Sequence, residues 1–270
     1  MKYDYHMHSS FSADSDSEAV DMIEQAIKLG LKEICFTEHQ DFEYPNIYPG
    51  SPIFTLDTNT YIQQLNELKE KYKNQISIKT GVELGLQPNL TQILKEYTSS
   101  YSFDFIIGSI HLSNGEDPYY PEFWEGYKQH DRIRQYYESM LACVRSYKDF
   151  DVCGHLDYLV RYAPVKSNED IYPKHSDIID VILKELIASG KGIEINTSGY
   201  RYGLGHPNPH EDMLKRYKEL GGEIITIGSD AHKPEHIAAD FALAKEVLIN
   251  SGFRYITTFT KRNPQFISII

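Results

Sequence analysis

The feature that most restricts the fold of this chain is a regular alternation of short apolar runs and helical segments. The predicted strands are residues 2–8, 34–37, 76–84, 103–110, 152–156, 192–196 and 223–227. The predicted helices are residues 17–29, 60–72, 89–98, 131–147, 176–189, 208–220 and 234–250, with residues 253–259 as a last strand or tail. Because strands separated by helices pair in parallel through right-handed crossovers, this order predicts an α/β protein.

The residues that follow the predicted strands decide between an open sheet and a barrel. An open doubly wound sheet concentrates its site at one switch point and has a glycine-rich first turn. The first turn here, residues 6–10, contains no glycine, and nearly every strand ends in His, Glu or Asp. In a barrel these ends meet at one rim, so we predict a TIM-like barrel that forms a single domain over residues 1–270.

Composition and charge argue against several classes of protein. The formal net charge of −12 disfavours binding to nucleic acid, since an acidic surface repels polyanions. No apolar run reaches the roughly 18 residues of a membrane helix, and the first residues do not resemble a signal peptide. Cys35, Cys143 and Cys153 are far apart in apolar surroundings, which is typical of buried thiols in a reducing compartment. We predict a cytoplasmic protein with no membrane partner, and its oligomeric state stays open.

The strand ends carry candidate metal ligands. On a strand, residues i and i+2 point to the same side, so His6 and His8 would share one space, as would Asp230 and His232. Taken singly, each such residue has an ordinary structural explanation. Together they would be costly to desolvate without cations, and one ion uses about four to six ligands, so roughly two or three ions are predicted. The eight candidates are His6, His8, His39, Glu83, His111, His155, Asp230 and His232.

Asp14 lies in a run of Ser and Asp residues before the first predicted helix. Such residues usually cap helices. We expect Ser15, Asp16 or Ser17 to provide the cap, which would leave Asp14 free to turn toward the rim.

The ordered set of segments resembles one known family. The segments are DYHMHSSFSADS, ICFTEH, TGVELG, DFIIGSIH, VCGHLDYLVRY, IEINTSGYR and ITIGSDAH. They are similar to the polymerase-and-histidinol-phosphatase (PHP) family, and within it to the bacterial histidinol-phosphate phosphatases. The resemblance extends from residue 4 to residue 232. It implies a distorted (β/α)7 barrel with a trinuclear centre of Zn, Fe or Mn at the C-terminal ends of the strands.

The resemblance also implies roles for individual residues. Glu83 would bridge two ions, and catalytic roles are implied for Asp14, Glu83, Asp230 and His232, although the group that protonates the leaving alcohol stays open. Some relatives have histidine where this chain has Asp14, and the added oxygen character favours a harder ion such as Fe or Mn there. The implied ligands are His6, His8, Asp14, His39, Glu83, His111, His155, Asp230 and His232.

Substrate contacts are predicted from the loops that follow the strands. Arg161 and Arg201 are candidates for bidentate phosphate binding. Similar segments in the family are associated with binding of the substrate phosphate. A carboxylate that would receive a substrate amine is sought among Asp41, Glu43, Glu116 and Asp117. Aromatic residues of the two long predicted loops, 40–59 and 111–129, either wall a pocket or anchor the loops: Tyr44, Tyr48, Tyr119, Tyr120, Phe123 and Trp124.

A multinuclear centre can generate hydroxide near neutral pH and neutralise the charge of a transferring phosphoryl group. The resemblance implies a phosphomonoesterase that hydrolyses L-histidinol phosphate by metal-activated hydroxide attack. Two alternatives stay open. One is a PHP phosphoesterase of another substrate, such as a small phosphomonoester or a phosphotyrosine protein, and the other is a non-catalytic metal-binding module. Turnover of a generic aryl phosphate would separate an enzyme from such a module.

Overall fold

A parallel barrel organises the chain. The computed structural model describes residues 1–45, 48, 51–166 and 171–270. Neighbouring strands pair in parallel and follow one another in chain order. They are β1 (Tyr3–Asp4), β2 (Glu33–Gln40), β3 (Ser77–Gly85), β4 (Phe105–Ser109), β5 (Val152–Cys153), β6 (Gly192–Asn196) and β7 (Ile225–Gly228).

Backbone hydrogen bonds between the first and last strands close the barrel. The amide of Tyr5 donates to the carbonyl of Ile227 at 2.9 Å, and a parallel bridge joins Met7 to Ala231. The C-terminal ends of all the strands therefore surround one mouth. The predicted distorted (β/α)7 barrel is confirmed.

Helices cover the outside of the barrel. They are α1 (Ala19–Lys28), α2 (Thr58–Tyr72), α3 (Thr91–Ser100), α4 (Gln129–Ser146), α5 (Ile171–Ala188), α6 (Ser198–Arg201), α7 (Glu211–Glu219) and α8 (Phe241–Asn250). In α1 the helical spacing places Met22, Ile23 and Ala26 on one buried face. Burial of each large apolar side chain of this kind stabilises the fold by about 1.5–3 kcal/mol. Among the described residues, no helix combines the length and apolar character needed to cross a bilayer.

A β-hairpin lies at the N-terminal end of the barrel, where the sequence predicted only one strand or tail. Strands β8 (Tyr255–Thr260) and β9 (Asn263–Ser268) pair in antiparallel register. The ring of Phe259 lies 5.0 Å from that of Phe105, which in turn lies 5.2 Å from that of Tyr5. The hairpin thus inserts a ring into an apolar cluster inside the lower barrel: Tyr5, Cys35, Phe105, Ile107, Val152 and Phe259.

Three local predictions need correction. Strand β1 is much shorter than residues 2–8, because only Tyr3 and Asp4 pair regularly with β2. The predicted side-chain cap of α1 is wrong, since Glu18 occupies the N-cap position without a capping hydrogen bond. The hydroxyls of Ser15 and Ser17 instead donate to the carbonyl of His232. Within the predicted loop at 40–59, residues 46, 47, 49 and 50 lie outside the described residues.

The third correction concerns the last strand end. Strand β7 ends at Gly228, so Asp230 and His232 do not alternate on a strand as the sequence suggested. Asp230 has φ of 53°, in the left-handed region. The turn still brings both side chains to the mouth, where His232 Nδ1 lies 3.6 Å from Asp230 Oδ1.

Candidate metal centre

His6 and His8 project into the mouth from the segment after β1. Their backbone is held extended, because Asp230 N donates to His6 O at 2.8 Å and Thr37 N donates to Met7 O at 2.9 Å. The two Nε2 atoms lie 3.1 Å apart, and both side chains are fully buried. Two ligands of one tetrahedral zinc ion, each at about 2.0–2.1 Å from the metal, lie roughly 3.3–3.4 Å from each other. The spacing therefore fits a shared ion.

Glu83, at the C-terminal part of β3, occupies the centre of the cluster. Its two carboxylate oxygens face different groups of imidazoles. Oε1 lies 3.3 Å from His111 Nε2 and 3.0 Å from His155 Nε2. Oε2 lies between 3.1 and 3.5 Å from nitrogens of three histidines: His39, His6 and His8. One carboxylate thus separates two sets of nitrogen donors.

The outer side of the cluster carries two more carboxylates. Asp14 Oδ2 lies 3.1 Å from His232 Nε2 and 3.4 Å from His39 Nε2, so the predicted turn of Asp14 toward the rim does occur. Asp230 Oδ1 lies 3.7 Å from the Nε2 atoms of both His6 and His8. Both carboxylates add oxygen donors to a set of imidazoles.

Within the described part of the chain, three groups of side chains have ligand atoms that all lie within 4.8 Å of one another. Imidazole and carboxylate donors suit Zn, Fe and Mn. The residues present therefore fit divalent cations. The groups are His8 with His39 and His232, His6 with His8 and Glu83, and His39 with Glu83 and His111.

The electrostatics of the cluster favour positive charge. Burial alone raises the pKa of Glu83, but His6 and His111 outweigh it and hold that pKa well below its usual range. Burial lowers the pKa of His111, yet Asp41 and Glu83 together raise it to about 10. A buried group of ionised carboxylates thus attracts protons when no other cation is present. Metal ions and protons are expected to compete for this site.

Two carboxylates outside the predicted ligand set orient ligand imidazoles. Glu194 Oε1 lies 2.6 Å from His6 Nδ1, and Asp41 Oδ1 lies 2.7 Å from His111 Nδ1. Such contacts fix the tautomer so that Nε2 faces the metal side. Glycines leave the necessary space: a Cβ atom at Gly85 would lie 1.9 Å from Asp41 Oδ1, and one at Gly228 would lie 2.4 Å from Glu194 Oε1.

A third buried carboxylate supports the loop around His8. Glu38 accepts hydrogen bonds from the Ser9 and Ser12 hydroxyls, each at 2.6 Å. Ser12 Oγ also lies 3.1 Å from His8 Nδ1 and accepts from the His39 amide at 3.0 Å. Burial raises the pKa of Glu38 to about 7, although these serine contacts lower it.

A cavity of about 330 Å³ opens above the cluster and contains both predicted arginines. Arg161 donates from Nε to Asn208 Oδ1 at 3.0 Å and from Nη1 to Asp230 Oδ2 at 3.1 Å. Arg201 donates from Nη2 to the carbonyls of Ser229 and Asp230. Arg161 Nη2 and Arg201 Nη1 are buried without a hydrogen-bond partner among the described residues. Each arginine is therefore anchored at one end and has a donor left for a ligand.

The remaining predicted contacts divide into two groups. Asp41 and Asp117 line the cavity, whereas exposed Glu43 accepts from Asn89 and Glu116 pairs with Arg132. Of the six aromatic residues predicted in the two long loops, Tyr44 lines the cavity. Phe123 and Trp124 are buried in the core, and Tyr48 and Tyr119 are exposed. Other aromatic residues complete the wall: Phe54, Tyr158, Tyr162 and Tyr202.

Comparison with known proteins agrees with this geometry. The sequence pattern of the PHP domain matches residues 4–198. The chain belongs to the PHP domain family. This PHP chain is 33% identical over 263 residues to the histidinol-phosphatase of Lactococcus lactis, which covers 96% of this chain and 94% of that protein. It is 35% identical over 268 residues to a probable histidinol-phosphatase of Clostridium acetobutylicum, covering 97% and 98% of the two chains.

Solved structures show the same PHP barrel. A crystal structure of histidinol phosphate phosphatase from Lactococcus lactis, complexed with zinc, L-histidinol and phosphate, superposes with a TM-score of 0.89. It is 32% identical and covers 98% of each chain. A putative histidinol phosphatase from Listeria monocytogenes, 20% identical with a TM-score of 0.76, covers 90% of this chain and 99% of its own. The second likeness supports the fold alone.

The PHP barrel brings all the predicted ligands together, and it also uses residues that sequence reasoning missed. Glu194 and Glu38 are absent from the predicted site residues, and Asp41 is predicted only as a candidate substrate contact. A signal did exist for Glu194, since it is a charged residue between Ile193 and Ile195 on a strand that is otherwise apolar. The partners of these carboxylates are far away in sequence, so their function was not readable from local pattern.

Proposed function

We propose that this chain is a metal-dependent phosphomonoesterase that hydrolyses L-histidinol phosphate to L-histidinol and inorganic phosphate. The observation that carries the reaction class is that one cavity joins a cluster of imidazole and carboxylate donors to two arginines, each of which has a buried nitrogen without a hydrogen-bond partner among the described residues. The choice of substrate rests on the relatives, which are named histidinol-phosphatases and match nearly the whole chain.

The cofactor we propose is a set of two to three divalent ions, drawn from Zn, Fe and Mn. When bound, such ions supply Lewis acidity, which makes water a stronger nucleophile near neutral pH and neutralises phosphoryl charge. The central position of Glu83 supports a bridging role. Asp14 gives the outer group, with His39 and His232, oxygen character that favours Fe or Mn. The proposed ligands are His6, His8, Asp14, His39, Glu83, His111, His155, Asp230 and His232.

The protein groups then bind and orient the ester. Arg161 Nη2 and Arg201 Nη1 would donate to phosphate oxygens, and the anchored ends of both side chains keep those donors in place. Catalytic roles are proposed for Asp14, Glu83, Asp230 and His232 because they line the cavity. Because Asp14 and His232 are also proposed metal ligands, their part in catalysis would be to hold the ions that activate water.

We also infer that residues 1–270 form a single domain, although the family match ends at residue 198. Strand β7 pairs with β6, and Phe259 of the hairpin packs inside the barrel. The expected partner is a small phosphorylated substrate, with neither nucleic acid nor membrane as a partner. A cytoplasmic location is proposed, and the unpaired state of the three cysteines supports it.

Steady-state phosphate release tests the proposed function. Protein loaded with Zn or Mn should hydrolyse L-histidinol phosphate with a higher kcat/KM than p-nitrophenyl phosphate, a phosphotyrosine peptide or a 3′-phosphorylated oligonucleotide. A preference for the phosphopeptide would replace the substrate but keep the reaction class. A metal-loaded chain that releases no phosphate from any ester would be a metal-binding module instead.

The arginines provide a second test of the same proposal. Arg201→Ala removes the unpartnered Nη1 donor, and we expect KM for phosphate esters to rise about 10- to 100-fold. Metal content is measured alongside by elemental analysis, because Arg201 Nη2 also donates to the carbonyl of Asp230, and the phosphate role predicts a raised KM at matched metal content. Arg161→Ala should also raise KM, although its contact with Asp230 makes the metal measurement the necessary companion. Unchanged kinetics in both variants would reject the phosphate role.

A further inference from the structure

The two arginines of the cavity are held in place by different kinds of acceptor. Within the described part of the chain, Arg201 donates to backbone only, since its Nη2 bonds to Ser229 O and Asp230 O. Arg161 is held by side chains, because its Nε donates to Asn208 Oδ1 at 3.0 Å and its Nη1 to Asp230 Oδ2 at 3.1 Å. A carbonyl always accepts, whereas a side-chain amide can also present a donor. The position of Arg161 therefore depends on which end of the Asn208 amide faces it.

Asp157 fixes the orientation of that amide. Asn208 Nδ2 donates to Asp157 Oδ1 at 2.6 Å, and the backbone amide of His210 donates to Asp157 Oδ2 at 2.9 Å. An ionised carboxylate can only accept hydrogen bonds, so it keeps the NH2 end of the amide on its own side and leaves the carbonyl end for Arg161. Asp157 is 1% exposed and Asn208 is fully buried, so bulk water does not compete for these groups.

Hydrogen bonds decide where the guanidinium of Arg161 points. Its Cζ lies 5.4 Å from the ring centroid of Tyr158 and 5.0 Å from that of Tyr202. Aromatic faces attract a guanidinium but leave it free to rotate in its own plane. The contacts of Nε and Nη1 remove this freedom, and they set the direction of Nη2, the buried donor without a partner among the described residues. Loss of the Nε contact would restore the rotation.

The pair formed by Asp157 and Asn208 does not reach the ligand itself. Neither residue is among the described residues that line the cavity. Both are fixed to the barrel: Asn208 exchanges backbone hydrogen bonds of 2.7 and 2.8 Å with Asn196 at the end of β6, and Asp157 directly precedes the short 3-10 helix Tyr158–Arg161. Any effect of this pair on an ester in the cavity must therefore pass through Arg161.

We propose that Asp157 is a positioning residue for phosphate binding, which sets the polarity of the Asn208 amide and so aims Arg161 Nη2 at a phosphate oxygen. The inference rests on the proposed phosphomonoesterase function, in which Arg161 contacts the phosphate group. A donor that is already held in the required direction loses less entropy when the ester binds than a mobile one does. The pair therefore contributes to substrate affinity from outside the cavity.

Asp157→Asn tests the polarity because it keeps the shape of the side chain. The new amide has one acceptor end, which the His210 amide requires, so its NH2 group faces Asn208. Asn208 must then turn over to accept, and its own NH2 group points at Arg161 Nε, where two donors repel. We expect KM for phosphate esters to rise about tenfold and kcat to change less than about threefold, at matched metal content.

The double variant Asp157→Asn/Asn208→Asp reverses the polarity of the pair. The amide at position 157 accepts from the His210 backbone and donates to the carboxylate at position 208, which also accepts from Arg161 Nε. The number of hydrogen bonds and the net charge equal those of the wild type. We expect KM to return to within about threefold of the wild-type value. A loss of packing would not be repaired by this second substitution, so the rescue separates positioning from a structural role.

Asp151→Asn is the matched control for removal of a buried carboxylate. Asp151 is 7% exposed and accepts from the Ile106 amide at 2.8 Å and from Arg262 Nε at 2.6 Å. It directly precedes β5, at the opposite end of the barrel from the cavity. Its substitution should lower the stability of the fold but leave KM and kcat at the wild-type values.

Combined variants show whether the effect passes through Arg161. In an Arg161→Ala background, Asp157→Asn should raise KM less than about twofold, because the group that it positions is already absent. In an Arg201→Ala background, the same substitution should keep its full effect. Equal effects of Asp157→Asn in both backgrounds would mean that Asp157 acts by another route.

Two measurements on the metal-loaded variants decide the outcome. Phosphate release from p-nitrophenyl phosphate gives KM and kcat, and isothermal titration calorimetry gives the Kd of inorganic phosphate. The inference is supported if Asp157→Asn raises both KM and Kd and the double variant restores them. An unchanged KM and Kd in Asp157→Asn, or a double variant that binds no better than Asp157→Asn, would overturn it and leave a phosphomonoesterase.

The calorimetry also separates this inference from the proposed function. If the wild type hydrolyses no ester, the proposed function fails, and the Kd values still decide whether Asp157 aims Arg161 at phosphate. A wild type that neither hydrolyses esters nor binds phosphate would end both proposals. Should Asp157→Asn not fold, Asn208→Ala removes the acceptor of Arg161 Nε instead, and a wild-type Kd in that variant would contradict the inference.

Discussion

The two ends of the barrel interior differ in the kind of side chain that they bury. The N-terminal end holds a cluster of apolar and aromatic residues, closed by Phe259 of the hairpin. The C-terminal end holds imidazoles and carboxylates that are equally buried, including His6, His8 and Glu83. A single strand shows the change: in β4 the inward residues Phe105 and Ile107 join the apolar cluster, while Ser109 donates to Glu83 at 2.6 Å.

This difference teaches how one sheet serves two purposes. The apolar end gains stability from burial and ring packing. The polar end lowers the stability of the fold, because buried charges are costly to desolvate unless ions or well-placed partners compensate them. Changes at one end should therefore alter stability, and changes at the other should alter metal binding and turnover. Three predictions test this division, beginning with the largest effect, and a fourth concerns a residue outside both ends.

Glu83→Gln tests the polar end at its centre. The amide keeps the shape of the side chain but removes the charge that faces imidazoles on both sides. We expect metal content to fall and kcat/KM to drop by at least about 10³-fold. Elemental analysis, phosphate-release kinetics and far-UV circular dichroism measure the three properties. A folded variant with wild-type metal content and turnover would show that Glu83 is not central.

Phe259→Ala tests the apolar end. Removal of this ring, which is 2% exposed, should lower the free energy of unfolding by about 3–5 kcal/mol. Chemical denaturation measures the change, and kcat and metal content of the folded fraction should remain at wild-type values. Phe266→Ala is the matched control, because Phe266 lies on the same hairpin and is 51% exposed; its effect should be within about 0.5 kcal/mol. Equal losses in the two variants would contradict the apolar-plug interpretation.

Gly85→Ala tests the support of a candidate ligand. The new Cβ would overlap Asp41 Oδ1, so Asp41 must move away from His111. We expect metal affinity, measured by competition with a chelator, to fall about 10- to 100-fold.

A double-mutant cycle isolates the cause of that loss. If Gly85→Ala acts by displacing Asp41, the double variant with Asp41→Ala should bind metal no more weakly than Asp41→Ala alone. Asp41→Asn, which keeps an acceptor for His111, should retain more affinity than Asp41→Ala. Fully additive losses would mean that Gly85 acts by another route.

His175 gives the smallest effect and lies outside both ends, at the kink of α5. Burial, followed by the nearby charges of His130 and Arg134, lowers the pKa of His175 from 6.5 to about 4. The unfolded chain therefore binds this proton more readily, so the contribution of His175 is complete above pH 6.5 and is lost as the pH falls toward 4. His175→Phe should flatten the decline in unfolding free energy across that window. A decline identical to that of the wild type would rule out this titration.

Much of the barrel was predictable because its signals are local. Helical periodicity and apolar runs marked most elements to within a few residues, and the terminal His and carboxylate residues indicated one shared rim. Strand β9 was missed because its residues are mostly exposed and carry no alternating pattern. The length of β1 was overestimated because Tyr5 and Met7 are apolar and buried, although they pair with β7 and the segment beyond it rather than regularly with β2.

The parts of the site that escaped prediction depend on contacts between distant residues. Glu194 reaches His6 and Asp41 reaches His111 only once the barrel has closed. The left-handed turn at Asp230 is likewise fixed by its surroundings, since Arg201 donates to the carbonyl of Asp230. Residue type and spacing indicate which side chains carry chemistry, whereas the closed barrel determines which carboxylates support them.

Anomalous diffraction from crystals of the zinc-loaded protein tests the central claim most directly. We expect two or three zinc peaks around the Glu83 carboxylate, within coordination distance of His6, His111 and His232. Ordered zinc only at other positions, or no peak beside Glu83 in fully loaded protein, would contradict the account.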